Sequence, residues 1–250
     1  MKAESVELND LEMYYETEGA GEPLLLLHGG TGCHQDWVYA GREQFVREYT
    51  VIAPDARGHG RTSNPQTTIT HRQCAVDALT LLDHLGIGKC RAIGLSMGGN
   101  ILLHMAMLQP ERIQAMVVVS ATMYFPEQAR AVMRQVPLAD KQPMHEWKEC
   151  ARVTRAATSK SQNCGTGRAT CRQLRRYEFH STVAVKNHRV HTDCLWRSRS
   201  ALSGRNGIAM HRAIPRSSLW VVPNGSHGPV FGDAAPQFAR TALEFFRTAH

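Results

Sequence analysis

The sequence lacks the features that mark membrane and secreted proteins. No apolar run approaches the roughly 20 residues that a helix needs to cross a membrane, and no basic segment followed by an apolar one opens the chain. The seven cysteines are odd in number and irregularly spaced, which favours reduced thiols over a disulfide framework. We therefore expect a soluble, unprocessed protein of the cytoplasm.

Acidic residues are scarce in one segment only. Residues 151–208 hold 12 of the 29 Lys and Arg but only Glu178 and Asp193 among the acids, which gives that segment a local net charge of +10. The rest of the chain carries −3, although the whole chain carries +7. The basic character is therefore local, and it does not indicate that the protein as a whole binds nucleic acid or membranes.

Elsewhere the 250 residues show the pattern of one α/β domain. Short apolar runs alternate with helical stretches, an order that produces a mostly parallel, doubly wound sheet covered by helices. The predicted strands are a hairpin of residues 6–8 and 11–15, followed by 23–27, 50–53, 90–93, 116–119 and 218–222. The predicted helices are 70–85, 101–108 and 236–246, the first capped by Thr70 and stopped by Gly86. Within the single domain 1–250, we expect a helical cap over about 121–190. Over 151–208 we expect loops, poor order or helix rather than a strand.

The strongest chemical signal is the motif Gly94-Leu95-Ser96-Met97-Gly98, which lies between a predicted strand and a predicted helix. A serine nucleophile must be lifted clear of the sheet on a strained turn, and flanking glycines let neighbouring backbones pass closely. The helix that follows points its positive end at the developing oxyanion, to which the Met97 amide can donate. We therefore predict that Ser96 is a nucleophile and that Met97 supplies one oxyanion donor.

A second oxyanion donor is expected on a loop after another parallel strand. The sequence His28-Gly29-Gly30 follows the apolar run 23–27, and Gly30 can give its amide. Two glycines after a strand more often make a simple turn, so the prediction for Gly30 depends on the serine motif.

The general base is expected late in the chain, on a loop after a strand. Among 13 histidines, His227 alone combines a late position, a preceding strand and the flexible neighbours of the run Asn-Gly-Ser-His-Gly-Pro over residues 224–229. We predict that His227 takes the proton of Ser96.

Together these separated motifs resemble the α/β-hydrolase fold family, over residues 1 to about 149 and 209–250. Residues 55–63, Asp-Ala-Arg-Gly-His-Gly-Arg-Thr-Ser, are similar to the family's structural turn after its fourth strand. The resemblance implies a Ser, His and acid triad that hydrolyses esters, lactones, amides or carbon–carbon bonds without a metal or other cofactor. The serine argues against the dehalogenase and epoxide-hydrolase branches, whose nucleophile is an aspartate. The expected substrate is a small carboxylic ester or lactone, attacked through an acyl-enzyme on Ser96.

The triad acid is the least defined part of this prediction. The resemblance places it within residues 190–208, where Asp193 is the only acid and no apolar strand precedes it. A displaced reading frame explains both features, because shifted codons from Thr192 onward permit Leu-Ile-Val-Tyr-Gly-Asp-Arg-Asp, a buried strand followed by an acid loop. On this hypothesis the displacement begins between about 147 and 175 and ends near 208–211.

Two functional hypotheses therefore stand, an active serine hydrolase and a catalytically impaired protein of the same fold that lacks the triad acid. Two other interpretations are disfavoured. The paired spacing of a zinc site is missing among the candidate ligands Cys164, Cys171, His180, His188, His191 and Cys194. Interleaved aromatic residues and a recognisable nucleic-acid module are missing around the cluster Arg168, Arg172, Arg175 and Arg176.

Overall fold

The computed structural model of the chain describes residues 1–66, 69–122, 189–193, 204–222 and 227–249, with the backbone alone over 189–193 and 204–206. The strands are β1 Lys2–Leu8, β2 Leu11–Glu18, β3 Glu22–Leu27, β4 Tyr49–Pro54, β5 Cys90–Leu95, β6 Ile113–Val119, β7 Arg189–Asp193 and β8 Ser218–Trp220. The α-helices are α1 Asp36–Tyr39, α2 Arg42–Phe45, α3 His71–His84, α4 Met97–Leu108, α5 Gly204–Ala213 and α6 Ala235–Thr248, and short 3₁₀ turns cover Pro110–Arg112 and Gly232–Ala234.

The strands form one eight-stranded sheet in the order β1-β2-β4-β3-β5-β6-β7-β8. β1 and β2 make an antiparallel hairpin, and β2 joins the sheet antiparallel to β4. Every other pair is parallel. The predicted mostly parallel α/β sheet is therefore confirmed, and the carboxyl ends of β3, β5, β6, β7 and β8 all meet at one edge, where such folds place their sites.

The central strands β3, β4, β5 and β6 are buried on both faces, which explains the continuous apolar runs in the sequence. In β3, Leu25 and Leu27 belong to one core cluster, whereas Leu24 and Leu26 belong to another on the opposite face. Helices α3 and α4 cover the first face. Helices α1, α2 and α6 cover the second face, where the rings of Phe45 and Phe238 meet edge to face at 6.2 Å.

The sequence signals for α3 act as expected. The Thr70 hydroxyl accepts a hydrogen bond from the Gln73 amide at 3.0 Å, which satisfies one of the exposed donors at the helix start. After the last turn, Gly86 adopts a φ of 68°, a left-handed conformation that glycine takes without steric cost. The helix thus begins and ends where the predicted cap and stop lie.

The expectation that 151–208 contains no strand is wrong for five residues. β7 occupies Arg189–Asp193 and pairs in parallel with both β6 and β8. Helix α5 begins at Gly204, in the part of the chain where loops or helix were expected. The sequence Arg-Val-His-Thr-Asp has weak apolar character, so the pattern gave no strand signal; the unfilled place between two neighbouring strands favours an extended backbone there. A well-packed strand at about 190–195 would contradict the displacement hypothesis; the structure describes the backbone alone over β7, so the hypothesis stays a prediction.

The predicted cap falls mostly on residues 123–188, which lie outside the described residues. The same holds for the cysteines and arginines considered as zinc ligands or a nucleic-acid arm. Within the described parts of the chain, no helix is both long enough and apolar enough to span a membrane.

Candidate active site

Ser96 stands on a strained turn between β5 and α4. Its φ of 52° and ψ of −110° fall in a region that residues other than glycine rarely adopt. Two backbone hydrogen bonds hold it there, because the Ser96 amide donates to the Val119 carbonyl at 2.7 Å and the Ser96 carbonyl accepts from the Asn100 amide at 3.0 Å. The turn is thus fixed to β6 on one side and to α4 on the other.

The glycines around the turn are required by close backbone contacts. A Cβ atom on Gly98 would lie 2.7 Å from the His28 carbonyl oxygen and closer still to that of Leu27. A Cβ atom on Gly94 would lie 2.6 Å from the Gly99 amide nitrogen. Because only glycine allows this approach, the first turn of α4 packs directly against the end of β3. The serine turn and the loop that begins at His28 are therefore neighbours.

The structure brings the predicted nucleophile and base together. His227 Nε2 lies 2.9 Å from Ser96 Oγ, although 131 residues separate them in the sequence. Both residues are half-buried, so a substrate can reach them. At this distance the serine hydroxyl can donate its proton to Nε2, which leaves Nδ1 to carry the other ring hydrogen.

The two predicted oxyanion donors come from the start of α4 and from the loop after β3, two segments in close backbone contact. Met97 is the first residue of α4, so its amide sits at the positive end of the helix dipole. Gly30 lies on a turn closed by a hydrogen bond from the Gly32 amide to the Gly29 carbonyl at 3.1 Å. The contact of Gly98 with the end of β3 joins these two segments. Two backbone amides near one serine are the usual means of stabilising a tetrahedral oxyanion.

A buried ion network lies beside the Gly30 loop. His34 Nδ1 lies 2.8 Å from Asp55 Oδ1, and His34 Nε2 lies 3.2 Å from Glu16 Oε1. Arg42 completes the network with a 2.6 Å contact to the other oxygen of Glu16. The network ties the segment after Gly30 to β2 and to the end of β4.

The network shifts the protonation of its members. Burial disfavours the charged form of His34, but its hydrogen bonds to Asp55 and Glu16 outweigh that effect and raise its pKa to about 9. Burial also acts against the Glu16 carboxylate, yet His34 and Arg42 lower its pKa to about 2. The pKa of Asp55 is likewise lowered against burial, chiefly by its hydrogen bond with His34. At neutral pH the network therefore holds two carboxylates and two cations.

The same residues bear on metal binding. Among the described residues, Cys33, His34 and Asp55 form a group whose ligand atoms all lie within 4.8 Å of one another. A metal needs a deprotonated imidazole nitrogen. Both nitrogens of His34 face carboxylates and its pKa is about 9, so its ring offers no lone pair at neutral pH. The group fits an ion network better than a metal centre.

Asp193, the candidate acid, ends β7. Its backbone pairs with Val119 of β6 on one side and with Trp220 of β8 on the other. It thus lies at the carboxyl edge of the sheet, on the strand beside the one that precedes His227. This is the place in the chain order Ser, acid, His that a triad acid occupies in such folds.

Three buried histidines around the Gly30 loop were not predicted as site residues, namely His28, His34 and His59. His28 and His59 contact the carbonyls of Gly29 and Gly30. The available signal was their position, since each lies in a turn that directly follows a buried strand. A single sequence does not reveal which neighbours such rings contact, because the contacts join β3 to the segment after β4.

Comparison with known proteins identifies the family. The alpha/beta hydrolase fold family matches residues 22–176, more than half of the chain. The chain therefore belongs to the alpha/beta hydrolase fold family.

Individual relatives agree with this assignment. The chain is 40% identical over 102 residues to a soluble epoxide hydrolase of Corynebacterium sp. (strain C12), a match that covers 40% of this chain and 34% of that protein. It is 26% identical over 251 residues to a Pseudomonas savastanoi pv. phaseolicola protein that bears the name carbamate hydrolase RutD, which covers 92% and 96% of the two chains. An enol-lactonase from Burkholderia xenovorans LB400 has the same fold, with a TM-score of 0.74, 19% identity and coverage of 98% and 100%. Against several curated relatives the chain spans only 34%, 47% and 31% of their length.

Proposed function

We propose that the chain is a serine hydrolase that cleaves a carboxylic ester or lactone through an acyl-enzyme on Ser96. The observation that carries the proposal is the 2.9 Å contact between Ser96 Oγ and His227 Nε2, at a serine whose φ is 52°. A hydroxyl on a strained turn beside an imidazole is the arrangement that activates serine as a nucleophile.

The reaction follows from these positions. Ser96 Oγ attacks the carbonyl carbon while its proton passes to His227 Nε2, and the carbonyl oxygen gains the negative charge. The amides of Gly30 and Met97 donate to that oxygen. His227 then gives the proton to the leaving alcohol oxygen, which departs and leaves the acyl group on Ser96. A water repeats the sequence, releasing the carboxylic acid and restoring the serine hydroxyl.

Asp193 is the proposed third member. Its backbone position supports this role, because the end of β7 lies beside β8, the strand that precedes His227. A triad carboxylate fixes the histidine tautomer and stabilises the imidazolium that forms in the reaction. The alternative of an impaired protein without a functional acid predicts that Asp193 has no effect on turnover.

Several relatives bear the name epoxide hydrolase, but the serine at the elbow supports acyl chemistry over epoxide opening. The epoxide-hydrolase branch uses an aspartate nucleophile at the elbow, whereas this chain has Ser96 there. The carbamate hydrolase and enol-lactonase names both describe attack on an acyl carbon. We therefore place the substrate among small esters and lactones and propose no nucleic-acid or membrane partner.

The cysteines support a reducing compartment. Among the described residues, Cys33, Cys74 and Cys90 are buried and form no disulfide. Burial raises the pKa of Cys74 and of Cys90 to about 12, so both stay protonated and unreactive. We keep the cytoplasm as the proposed location on this basis.

Turnover of a short-chain nitrophenyl ester tests the proposal. Ser96→Ala should abolish hydrolysis, since no other group holds the nucleophile's position, and His227→Ala should reduce it by several orders of magnitude. Ser5→Ala, on the exposed edge strand β1, is the matched control and should hydrolyse at the parent rate. Equal turnover by Ser96→Ala and the parent chain would refute the assignment.

A further inference from the structure

The buried imidazoles of His28 and His59 contact the Gly29-Gly30 turn. His28 Nδ1 is 2.7 Å from the Gly29 carbonyl oxygen, and His59 Nε2 is 2.9 Å from the Gly30 carbonyl oxygen. These two carbonyls flank the Gly30 amide along the backbone. We propose that His28 and His59 are positioning residues that aim the Gly30 amide at the oxyanion, an inference that rests on the proposed function.

The hydrogen bonds of His28 define its tautomer. The Ala56 amide donates to His28 Nε2 at 2.9 Å, so Nε2 carries the lone pair and Nδ1 carries the hydrogen. Nδ1 therefore donates to the Gly29 carbonyl. Burial, with the nearby His59 as the second cause, lowers the pKa of His28 to about 4. The ring thus stays neutral and keeps this tautomer at neutral pH.

The contact at Gly29 acts on the Gly30 amide through the peptide plane. The Gly29 carbonyl and the Gly30 N–H belong to one planar unit, so holding the carbonyl fixes the direction of the N–H. The carbonyl accepts from His28 Nδ1 and from the Gly32 amide, the latter at 3.1 Å. Hydrogen bonds to a carbonyl also polarise the amide of the same unit, which makes Gly30 a stronger donor.

His59 holds the other side of Gly30. Its Nδ1 lies 2.9 Å from the Arg57 carbonyl oxygen and its Nε2 lies 2.9 Å from the Gly30 carbonyl oxygen. Carbonyl oxygens only accept, so both contacts are hydrogen bonds only when both ring nitrogens carry hydrogen. The contact with Gly30 is a hydrogen bond when Nε2 carries the hydrogen, and in that tautomer the ring bridges the segment after β4 to the Gly30 loop.

The two histidines form one support. Both are almost completely buried, and their ring centroids are 5.3 Å apart. Each joins the loop after β3 to the segment after β4, His28 through Ala56 and His59 through Arg57. Gly30 is therefore held by two side chains that do not themselves reach the reacting atoms.

At each of the two positions, substitution by Asn and by Gln separates the contact with the Gly29-Gly30 turn from the contact with the segment after β4. An Asn side chain places its amide nitrogen near the site of histidine Nδ1, whereas a Gln side chain places it near that of Nε2. His28→Asn thus retains the donor to Gly29, and His28→Gln does not. At the second position the order reverses, because His59→Gln retains the donor to Gly30 and His59→Asn retains only the contact with Arg57.

Steady-state kinetics on the nitrophenyl ester give the first test. The variants that lose the contact with the Gly29-Gly30 turn, His28→Gln and His59→Asn, should lose about 10- to 100-fold in kcat with KM within about twofold, below the 10²–10³-fold loss for removing an oxyanion donor outright. His28→Asn and His59→Gln, which retain that contact, should lose less than about fivefold in kcat. The control His71→Gln, a buried histidine at the start of α3, should keep the parent kcat. Equal losses within each pair, or losses confined to KM, would overturn the proposal.

Nitrogen-15 NMR of the histidine rings in the parent chain gives a second test that needs no activity and no variant. We expect His28 to carry its hydrogen on Nδ1 and His59 to carry one on Nε2. A hydrogen on His28 Nε2 in place of Nδ1, or no hydrogen on His59 Nε2, would overturn the positioning role. Absence of ester turnover in the parent chain would overturn the proposed function, while the ring spectra would still decide this inference.

Discussion

The two halves of the sheet differ in how firmly they are anchored. Strands β1 to β6 have six to eight residues each, and the strands at their centre are buried on both faces. By contrast, β7 has five residues and β8 has three, with Val221 just beyond β8 at 47% exposure. The nucleophile and both proposed oxyanion donors come from the first half. In the second half, the proposed acid Asp193 ends β7 and the base His227 comes after β8.

This difference separates two parts of the proposed mechanism. The first half builds a preorganised site for the nucleophile and the oxyanion, because buried ion pairs and glycine contacts hold each backbone segment. The second half supplies the groups for proton transfer, from the short strands β7 and β8. β7 lies within the segment 151–208, whose net charge is +10, and β8 follows it. We therefore expect changes in the first half to affect folding most, and changes in the second half to affect turnover most.

Among the changes that compare the two regions, Asp193→Asn should have the largest effect on turnover. If Asp193 is the triad acid, loss of its charge should lower kcat by about 10⁴-fold while leaving labelling of Ser96 by reactive probes detectable. Asp233→Asn, in the turn before α6, is the control and should leave kcat unchanged. Unchanged kcat in Asp193→Asn, together with a feeble parent enzyme, would instead favour the impaired protein. Replacing 192–199 by the displaced-frame sequence should then raise turnover by orders of magnitude.

In the first half, Gly98→Ala should have the largest effect on folding. Its Cβ would lie 2.7 Å from the His28 carbonyl oxygen, and backbone atoms cannot yield as a side chain can. We expect a loss of about 4 kcal/mol or more in the free energy of unfolding, measured by urea denaturation. Gly88→Ala, where a Cβ would meet nothing within 4 Å, should change it by less than about 0.5 kcal/mol. Similar effects of the two substitutions would contradict the close approach of α4 to β3.

Loss of a buried ion pair in the first half should lower the free energy of unfolding more than loss of an exposed ion pair of α6. Arg57 is fully buried and contacts Asp77 at 2.8 Å and Asp10 at 2.7 Å. Arg57→Leu leaves the buried Asp77 carboxylate unpaired and should cost about 3–5 kcal/mol of unfolding free energy. Arg247→Leu removes an exposed contact to Glu48 at 3.2 Å and should leave the free energy of unfolding almost unchanged, because solvent screens such pairs. Equal costs in urea denaturation would remove the distinction between the two regions.

The smallest expected effect is the pH dependence of stability that His34 and Glu16 contribute. The pKa of Glu16 falls from 4.5 to about 2 on folding, so its stabilisation is present above pH 4.5 and is lost as the pH falls toward 2. The pKa of His34 rises from 6.5 to about 9, so its stabilisation is present below pH 6.5 and is lost as the pH rises through 9. Thermal melts should therefore show a fall in Tm on the alkaline side that His34→Gln reduces by a few degrees. An unchanged alkaline slope in His34→Gln would contradict the network.

Much of the fold and part of the site could be predicted from the sequence. The strands at 23–27, 50–53 and 116–119 are apolar runs buried on both faces. Such a run indicates a buried strand even when the neighbouring strands are unknown. The motif around Ser96 was legible for a similar reason, since its glycines and its strand and helix context are all local in sequence. Its contact with His227 was inferred from chain order, and the geometry brings the two together.

The parts that the sequence did not indicate depend on distant neighbours. β7 has the sequence Arg-Val-His-Thr-Asp, whose weak apolar pattern predicts no strand, yet it lies extended between β6 and β8. The contacts of His28 and His59 join segments that are 28 and 29 residues apart. Tertiary context decides such features, so local pattern alone does not reveal them.

The central claim is that Ser96 is an activated nucleophile, and mass spectrometry after treatment with a fluorophosphonate probe tests it most directly. We expect one adduct per chain, located on the peptide that contains Ser96, absent in Ser96→Ala and formed far more slowly in His227→Ala. No adduct on the folded parent chain, or an adduct that persists in Ser96→Ala, would contradict the claim.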